Sequence, residues 1–357
     1  MSTPTTSPRA VHSTWSATLR IVVGASVLVA LVLLAFAWPT HTAKVKDMPL
    51  AVAGAPQAVA AVEKQLATAA EGAFSIHEVT DRAAAEEMVK KREAYGAIVL
   101  PSAPGGQTEV LTASAGSAVV TQALGQMAAG MNAAQAQAAQ AQAAASGTAP
   151  AVVVPVKITD IVPLVKDDAR GQGFMLIGLP MAMGGMIGGV LIAMTITGSR
   201  RRLAAIAGYA VLAGLLLTLV VHTWFGWLPA NFMASWGAMA LTLAATASAI
   251  VGLHALIGRA GIAVGAILTM FVGNPLSSLA MPKEWLPSFW GELGQFFVPG
   301  ASGNLLRSLA YFPDASTVRP WLVLTGWAVV GIVLSLIGRH RDEEVVHLEG
   351  MVEPDAS

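Results

Sequence analysis

The sequence predicts an α-helical integral membrane protein with about six transmembrane helices, one near the N-terminus and five in the second half of the chain. Mean hydropathy is +0.63 and 12% of the residues are charged, whereas an ordinary soluble domain has about 25%. Apolar stretches of about 20 residues, the length that crosses a hydrocarbon core, recur along the chain. The long mixed region after the first of them predicts an external α/β domain, and a re-entrant outer hairpin is predicted before the last helix.

Composition and motifs exclude several classes of function. The net charge is 0, so no overall field favours a nucleic-acid partner. The chain has no cysteine, which excludes disulfides and thiolate chemistry. Its sequence contains no phosphate-binding loop of the form G-x-x-x-x-G-K-[ST], no metal-ligand spacing and no Ser-His-Asp arrangement. We therefore expect no enzyme activity, cofactor or metal in this chain, and ATP would act only through a partner subunit.

The first transmembrane helix is predicted over residues 21–38, after a cytoplasmic segment at residues 1–20. A cleaved signal peptide is the alternative, because Ala35-Phe36-Ala37 has the A-x-A form of a cleavage site. The apolar stretch is longer than a signal-peptide core of about 7–15 residues. It also ends at Trp38, a residue type that anchors helices at the membrane interface. These two features favour a retained helix.

The external α/β domain is predicted over residues 39–173. Short apolar or β-branched segments predict strands, and segments that start with Pro, Asp or Ser predict helices. The strands are Met48–Ala55, Phe74–Val79, Tyr95–Pro101 and Thr108–Thr112, and the helices are Pro56–Glu71, Asp81–Glu93 and Ser117–Gly147. The Ala/Gln-rich stretch Ala133–Ala145 leaves three alternatives open, namely a projecting helix, a partner-facing helix and partial disorder. Lys157–Leu164 is expected to lead the chain back to the membrane.

The five later helices fall in a transmembrane domain predicted over residues 174–338, which a cytoplasmic tail at residues 339–357 follows. Their predicted bounds are Phe174–Thr197, Leu203–His222, Met233–Leu253, Gly261–Val272 and Trp321–Gly338. Asp, Glu, Lys and Arg are essentially absent from these stretches. Ion-coupled carriers usually place ionisable groups in the membrane, so this pattern disfavours such a carrier.

Arginines mark one side of the predicted helices. If the N-terminus is cytoplasmic, all of them fall in cytoplasmic segments, as the positive-inside rule requires. They are Arg9, Arg20, Arg200, Arg201, Arg202, Arg259, Arg339 and Arg341. The opposite loops are rich in Trp and Pro. We therefore predict a multi-pass protein of the plasma membrane with both termini in the cytoplasm, and the heavy use of Ala, Gly and Arg indicates a bacterial source.

The second predicted transmembrane helix carries a double G-x-x-x-G and several methionines. Small residues at this spacing let helix backbones approach closely, either within one chain or across a dimer seam. The residues concerned are Gly184, Gly185, Gly188 and Gly189. Methionine adapts to varied apolar ligands, so Met181 and Met186 are candidate pathway residues, with a lipid-facing or core role as the alternative.

Residues 273–312 predict a re-entrant helical hairpin on the outer side of the membrane. Pro and Gly interrupt the helix here, and polar backbone at membrane depth is tolerated only where protein or a water-filled cavity satisfies it. An interfacial loop is the alternative. We expect the Asn274 amide to hold the hairpin as a gate, and Glu284 to pair with Arg307. The candidate gate or pathway residues are Asn274, Pro275, Ser277 and Ser278.

This arrangement resembles the type-2 ABC exporter permeases, and among them the YhgE/Pip (phage infection protein) group of bacterial membrane proteins. The matching segments are MPLAVAGA after the first helix, YGAIVLP in the external domain, and GNPLSSLAMPKEWLPSFW through LLRSLAYF near the end. The resemblance implies that the second and fifth transmembrane helices line a path between two protomers of a homodimer. It also implies that the first cytoplasmic loop contacts a separate ATPase subunit. In this chain that loop carries Arg200, Arg201 and Arg202.

Two functions from different classes follow. The first is a membrane permease that exports a hydrophobic or lipid-like compound as a homodimer, with a separate ATPase. The uncharged helices, the Gly- and Met-rich second helix and the hairpin favour it. The alternative is a non-transporting cell-envelope receptor or scaffold that acts through its external domain. The Ala/Gln-rich helix favours that alternative, and so does the first cytoplasmic loop, Gly198–Arg202, which is short for an ATPase-coupling helix. Under either function, the protein is embedded in the lipid bilayer.

Overall fold

A computed structural model describes residues 14–103, 106–147, 149 and 153–338. Most of the predicted cytoplasmic N-terminal segment, including Arg9, lies outside the described residues. The predicted tail at residues 339–357, including Arg339 and Arg341, also lies outside them. The expectations for those segments therefore stay predictions.

The first helix, α1 (Trp15–Thr42), is a compact unit of its own, and the chain from Ala43 onward forms a second unit. α1 is 28 residues long, which exceeds the roughly 20 residues needed to cross a bilayer. It contains the whole predicted span at residues 21–38. Apolar side chains are exposed along its length, as expected for a helix that faces lipid.

The second unit begins with alternating strands and helices. Each of the predicted strands and helices of this region forms, with bounds within a few residues of those expected. In chain order they are β1 (Met48–Ala53), α2 (Pro56–Ala69), β2 (Phe74–Val79), α3 (Arg82–Lys90), β3 (Gly96–Val99), β4 (Glu109–Thr112), α4 (Ala118–Ser146) and β5 (Lys157–Asp160). The predicted caps also form, since Asp81 accepts a hydrogen bond from the Ala84 N–H and Pro56 occupies the first turn of α2.

The five strands form one mixed sheet in the order β2-β1-β3-β4-β5. β1 pairs in parallel with β2 and β3, β3 pairs antiparallel with β4, and β4 pairs in parallel with β5. β5 corrects one expectation, because Lys157–Leu164 was predicted only as a return to the membrane. Its first four residues instead complete the sheet beside β4.

The central strands of the sheet are buried on both faces, as the period of 2 in β1 shows. Met48, Leu50 and Val52 point to a core that includes Val59 of α2 and Leu124 of α4. The alternate residues of β1, Ala51 and Ala53, join a second core with Ala85 and Val89 of α3, and this core continues into the apolar helices. The face of the sheet that carries α3 therefore rests on the helical bundle.

The helix α4 continues through the whole Ala/Gln-rich stretch. Its first half is anchored by the buried residues Val120, Leu124 and Ala128, and Gly147 ends it in a left-handed conformation. Most of its Ala/Gln-rich stretch, Ala133–Ala145, is exposed. The structure thus favours the helical alternatives for this stretch over partial disorder.

The carboxylate of Glu109, on β4, links α3 to β5 through hydrogen bonds from three side chains. It accepts hydrogen bonds from Arg82 Nε at 2.8 Å, Lys157 Nζ at 3.0 Å and Thr159 Oγ1 at 2.5 Å. The Arg82 hydrogen bond is the main reason why the pKa of Glu109 falls to about 2. A depressed carboxyl pKa stabilises the fold above the unfolded-state pKa of about 4.3. This stabilisation is lost as the pH falls from there towards the folded-state value.

We expect Glu109→Gln to lower the free energy of unfolding by on the order of 1–2 kcal/mol at pH 7. The wild type and the variant should converge as the pH falls from about 4.3 to about 2. Thermal unfolding of the purified chain in detergent at pH 7 and pH 3 measures both. Glu87→Gln is the matched control, because Glu87 is exposed and its ion pair among the described residues is with neighbouring Lys91. Equal losses in the two variants at pH 7 would contradict the special role of Glu109.

The helical bundle follows the sheet. Its helices are α5 (Gln172–Thr195), α6 (Ser199–Thr218, continued by a π-helical turn over Leu219–Trp224), α7 (Phe232–Ile257), α8 (Arg259–Ala266, continued by a π-helical turn over Ile267–Gly273), α9 (Trp290–Gly294), α10 (Val298–Tyr311) and α11 (Val318–Ile337). Short 3-10 turns cover Lys166–Asp168, Pro275–Ser277 and Lys283–Trp285.

Five helices in the described part of the chain are long and apolar enough to cross a membrane, namely α1, α5, α6 with its π-helical turn, α7 and α11. The span expected over residues 261–272 falls in the shorter apolar helix Arg259–Gly273, which is about 22 Å long at 1.5 Å per residue. Pro275 follows immediately and cannot continue the hydrogen-bond ladder. A total of six spans therefore stays a prediction.

The arginines of the helical bundle lie together at one end of it. Ser199 at the start of α6 donates to the Ser335 carbonyl near the end of α11, and Gly338 contacts Ala255 near the end of α7. α5, α7 and α11 thus end where α6 and α8 begin. We call this the arginine end, because it carries Arg200, Arg201, Arg202 and Arg259.

The opposite end of the bundle is rich in aromatic residues, and we call it the tryptophan end. Trp224, Phe225 and Trp227 stand in series there, with ring centroids 5.3 and 4.5 Å apart. Trp227 also lies against Gly173 at the start of α5. Aromatic residues of this kind gather at membrane interfaces, so the two ends differ as the two sides of a bilayer would require.

Candidate functional site

A polar cavity of about 650 Å³ lies between the sheet region and the segment 273–312, which we call the hairpin. Cavities of this size hold small molecules in many proteins. The turn between α3 and β3 supplies one wall, and α10 with the loop around Ser278 supplies the other. Its polar lining includes Arg92, Tyr95, Ser277, Ser278, Glu284, Gln295, Asn304, Arg307 and Ser308, and its apolar lining includes Leu279, Met281 and Phe312.

Arg92 enters the cavity from an unusual backbone position. The helix α3 ends in a Schellman motif, in which the Glu93 N–H bonds the Met88 carbonyl and the Arg92 N–H bonds the Val89 carbonyl. The residue at the position of Arg92 is normally glycine, because its φ must be positive. Arg92 has φ of 61°, a conformation that costs a residue with a Cβ about 1 kcal/mol. Backbone strain of this kind often accompanies function.

The Arg92 side chain joins the sheet region to α10. Its Nη1 donates to the Asn304 Oδ1 and to the Ser308 Oγ, both at 2.7 Å, and to the Asn304 carbonyl at 3.2 Å. The guanidinium also lies over the Phe312 ring, 5.5 Å from its centroid. Burial lowers the pKa of Arg92 below its ordinary value.

Arg307 supplies a second guanidinium from α10 itself. Its Nη2 donates to the Leu279 carbonyl at 2.8 Å, and the group lies over the Phe174 ring, 4.8 Å from its centroid. Its Nε is buried and has no hydrogen-bond partner among the described residues. Phe174 is at the start of α5, so the cavity adjoins the tryptophan end of the bundle.

Glu284 does not pair with Arg307, which corrects the sequence-based expectation. Its carboxylate accepts a hydrogen bond from the Tyr95 hydroxyl at 2.8 Å, and burial raises the pKa of that hydroxyl. Arg307 instead uses the backbone of Leu279 as its acceptor. The expected pairing was wrong because the hairpin sequence does not show that Tyr95, from the other wall of the cavity, binds Glu284.

Close backbone contacts give the hairpin its shape. A Cβ on Gly294 would lie 1.8 Å from the Leu276 carbonyl oxygen, and one on Gly291 would lie 1.9 Å from that of Lys283. Gln295 Nε2 donates to the Ser277 carbonyl at 3.2 Å. These contacts hold the 3-10 turn of Ser277 against α9. Ser277 and Ser278, two of the predicted gate residues, therefore line the cavity.

The other predicted pathway residues lie elsewhere. Asn274 hydrogen-bonds through its backbone, donating to Thr269 and accepting from Ser277, and Pro275 opens the following 3-10 turn. Met181 is buried in the bundle, and Met186 is partly buried on α5. None of these four is among the residues that line the cavity. Their roles in a pathway or gate stay predictions.

The four glycines of α5 pack against helices of the same chain. A Cβ on Gly185 would lie 2.6 Å from Thr246, and one on Gly189 would lie 2.9 Å from Ala247, both on α7. Gly188 and, less closely, Gly184 face Tyr209 of α6, whose hydroxyl donates to the Gly184 carbonyl. Of the two alternatives, helix packing within the chain is what these contacts show. A dimer seam at these glycines has no support from them.

Arg202 differs from its two neighbours, which corrects its assignment as a partner contact. It is 4% exposed, and it donates from Nε to the Ile196 carbonyl and from Nη2 to the Ala193 carbonyl. It thus caps the C-terminus of α5. Arg200 and Arg201 are exposed in the first turn of α6, and α6 begins directly after Gly198. The predicted loop is therefore the start of a helix.

Sequence reasoning missed Arg92, Tyr95 and Asn304 as site residues. Arg92 and Asn304 are 212 positions apart, so no local pattern connects them. One local signal was present, since an arginine follows the C-terminus of α3 where glycine is expected. That signal marks a residue whose side chain is needed in spite of the backbone cost.

Comparison with known proteins identifies the family. A family model described as "ABC-2 family transporter protein" matches residues 17–337. No curated protein and no solved structure matches the chain. The match supports the resemblance to type-2 ABC permeases, and the finer resemblance to the YhgE/Pip group stays a prediction. Because the matched region covers most of the 357 residues, the chain belongs to the ABC-2 family of transporter proteins.

Proposed function

We propose that this permease exports a hydrophobic or lipid-like compound, works as a homodimer and is driven by a separate ATPase subunit. The observation that carries the proposal is a bundle whose described membrane-spanning helices are uncharged except near their ends, joined at its tryptophan end to a polar cavity. An amphiphile has an apolar part that suits such helices and a polar part that suits such a cavity. Family membership supports the permease role. The exported compound, the homodimer and the ATPase subunit are the proposed parts.

The arginine end supports a cytoplasmic partner. Arg200 and Arg201 are exposed in the first turn of α6, where the helix dipole disfavours cations. Because these two arginines do not stabilise the helix, their role in this proposal is to set the orientation in the membrane or to bind a partner. In this proposal the arginine end is cytoplasmic, which the positive-inside rule supports, and the sheet region with its cavity is outside the cell.

A homodimer is supported by the apolar surface of the bundle. Large apolar side chains of α5, α6 and α11 are exposed, among them Leu176, Leu212 and Leu322. These surfaces face either lipid or a second protomer. The glycines of α5 do not contribute, so we place the dimer contact on exposed apolar side chains.

The alternative function is a non-transporting envelope receptor or scaffold. The exposed Ala/Gln-rich end of α4 is the feature that it would explain. Family membership does not favour it, because the matched family consists of transporter proteins.

We expect the double variant Arg200→Glu, Arg201→Glu to lose ATPase activity that purifies with the chain. The tagged permease is isolated from source-cell membranes in mild detergent, and ATP hydrolysis and protein yield are measured. Reversal of two exposed charges at the contact should lower the hydrolysis at least tenfold with unchanged yield. Lys64→Glu, an exposed charge reversal on α2, is the control and should leave it unchanged. Absence of ATPase activity on the wild type, or equal activity on the double variant, would contradict the proposal.

A further inference from the structure

Arg92 and Arg307 are like charges that repel each other across the cavity, and neither is in a salt bridge among the described residues. Both guanidinium groups are partly buried, and a charge held in protein without a partner is costly. The lining therefore lacks an ion-pair partner for its two arginines.

The other charged groups of the lining are already committed or lie at the rim. Glu284 is bound by Tyr95, and Lys91 and Lys283 are bound by Glu87 and Glu292. The two remaining acids, Glu93 and Asp314, are exposed. Glu284 attracts Arg92 through space, but it forms no ion pair with either arginine among the described residues. One carboxylate therefore faces two guanidinium groups, and an anion from outside the chain would offset the positive charge that remains.

Donors remain for such an anion. An arginine has five N–H donors in a planar fork. Arg92 makes its three hydrogen bonds from Nη1 alone, and Arg307 makes its one from Nη2. Two nitrogens on each group are thus unused among the described contacts. Guanidinium forks match the oxygens of a phosphoryl group, and the tetrahedral arrangement of those oxygens lets two forks bind the same group from different directions.

We propose that this cavity binds a phosphate-class oxyanion between the guanidinium groups of Arg92 and Arg307. The proposal rests on the proposed function and deepens it, since the oxyanion would be the headgroup of the exported amphiphile. Leu279, Met281 and Phe312 in the same lining provide apolar contact for the part of the molecule beside the headgroup. A soluble phosphate ester would present the same group to the same arginines.

The backbone of Arg92 provides a variant that removes the charge and relieves backbone strain. Glycine is the residue preferred at its left-handed position, so the relief of strain in Arg92→Gly offsets part of the loss of the contacts to Asn304, Ser308 and Phe312. The unfolding temperature of the variant is measured beside its binding, so that a loss of affinity can be assigned to folded protein. Arg307→Met removes the second guanidinium and keeps much of its apolar bulk. Lys90→Ala is the matched control, because Lys90 lies near Arg92 at the end of α3 and its ion pair in the described part of the chain is with Glu86.

The experiment measures binding by calorimetry with the full chain in a phosphate-free detergent buffer. The probes are sn-glycerol 3-phosphate and dihexanoyl-phosphatidylglycerol, with glycerol as the blank. We expect saturable binding to the wild type, weakened at least tenfold by Arg92→Gly and by Arg307→Met, and changed less than twofold by Lys90→Ala. If both probes bind and compete, the phosphoryl group is what the cavity recognises. If one probe alone binds, it identifies the lipid or the soluble ester as the source.

Failure to bind either probe, or equal affinity in wild type and Arg92→Gly, would overturn the oxyanion site. The assay contains no ATP and measures no transport. Export that persists without oxyanion binding would therefore refute this inference alone. Oxyanion binding without any ATP-driven export would refute the proposed function alone.

Discussion

Gly331→Leu should prevent the chain from accumulating as a folded membrane protein, whereas Gly326→Leu in the same helix should be tolerated. α7 is the most buried of the candidate spans, and α11 packs against it along much of its length. A Cβ on Gly331 would lie 2.3 Å from the Ser248 carbonyl carbon of α7, whereas one on Gly326 meets nothing within 4 Å.

The clash at Gly331 involves backbone and cannot be relieved by a change of rotamer. The same contact continues at Gly252, whose Cβ would lie 2.3 Å from the Gly331 carbonyl oxygen. Leucine would thus force the two central helices apart, with an expected loss of at least about 3 kcal/mol. Fluorescence-detected size-exclusion chromatography and thermal inactivation of the two variants measure the effect. Equal yield and unfolding temperature for both would contradict the packing described for α7 and α11.

The sequence predicted most elements because their signals are local. Pro56 and Asp81 start helices, Gly147 ends one, and each acts through its own backbone geometry or its nearest neighbours. The apolar spans follow from composition, because a helix must satisfy its own backbone in lipid. The arginine pattern likewise predicted which helix ends lie together.

Pairing over long distances could not be predicted from these signals. β5 looks like a polar connection in the sequence, and it becomes a strand only because β4 offers an open edge. The cavity has the same origin, since its two walls are the α3–β3 turn and the hairpin. Ser277 and Ser278 were identified from a helix break, whereas the acceptors of Arg92 on α10 depend on how the sheet rests on the bundle.

Arg202 illustrates a different limit. Three consecutive arginines read as one basic cluster, yet successive residues of a helix point in directions about 100° apart. Arg202 turns back to cap α5, while Arg200 and Arg201 remain exposed. A cluster in sequence was therefore divided by the helix into one structural residue and two candidate partner contacts.

The second large effect concerns ATP-driven movement of lipid. Inside-out vesicles from source cells that contain the permease should move a fluorescent phosphatidylglycerol analogue from the outer to the inner leaflet when ATP is added. The movement should be absent without the chain, because the hydrocarbon core alone is a barrier to the polar headgroup. It should also be lost in the Arg200→Glu, Arg201→Glu variant, whose cavity is intact.

The fraction of analogue protected from externally added dithionite is the most direct measurement of the central claim, which is ATP-driven export of a lipid-like compound by this permease. We predict that this fraction rises with ATP in wild-type vesicles, and that it stays at the background level with a non-hydrolysable ATP analogue and in vesicles without the chain. An equal protected fraction with and without the chain, or with and without ATP hydrolysis, would contradict the account.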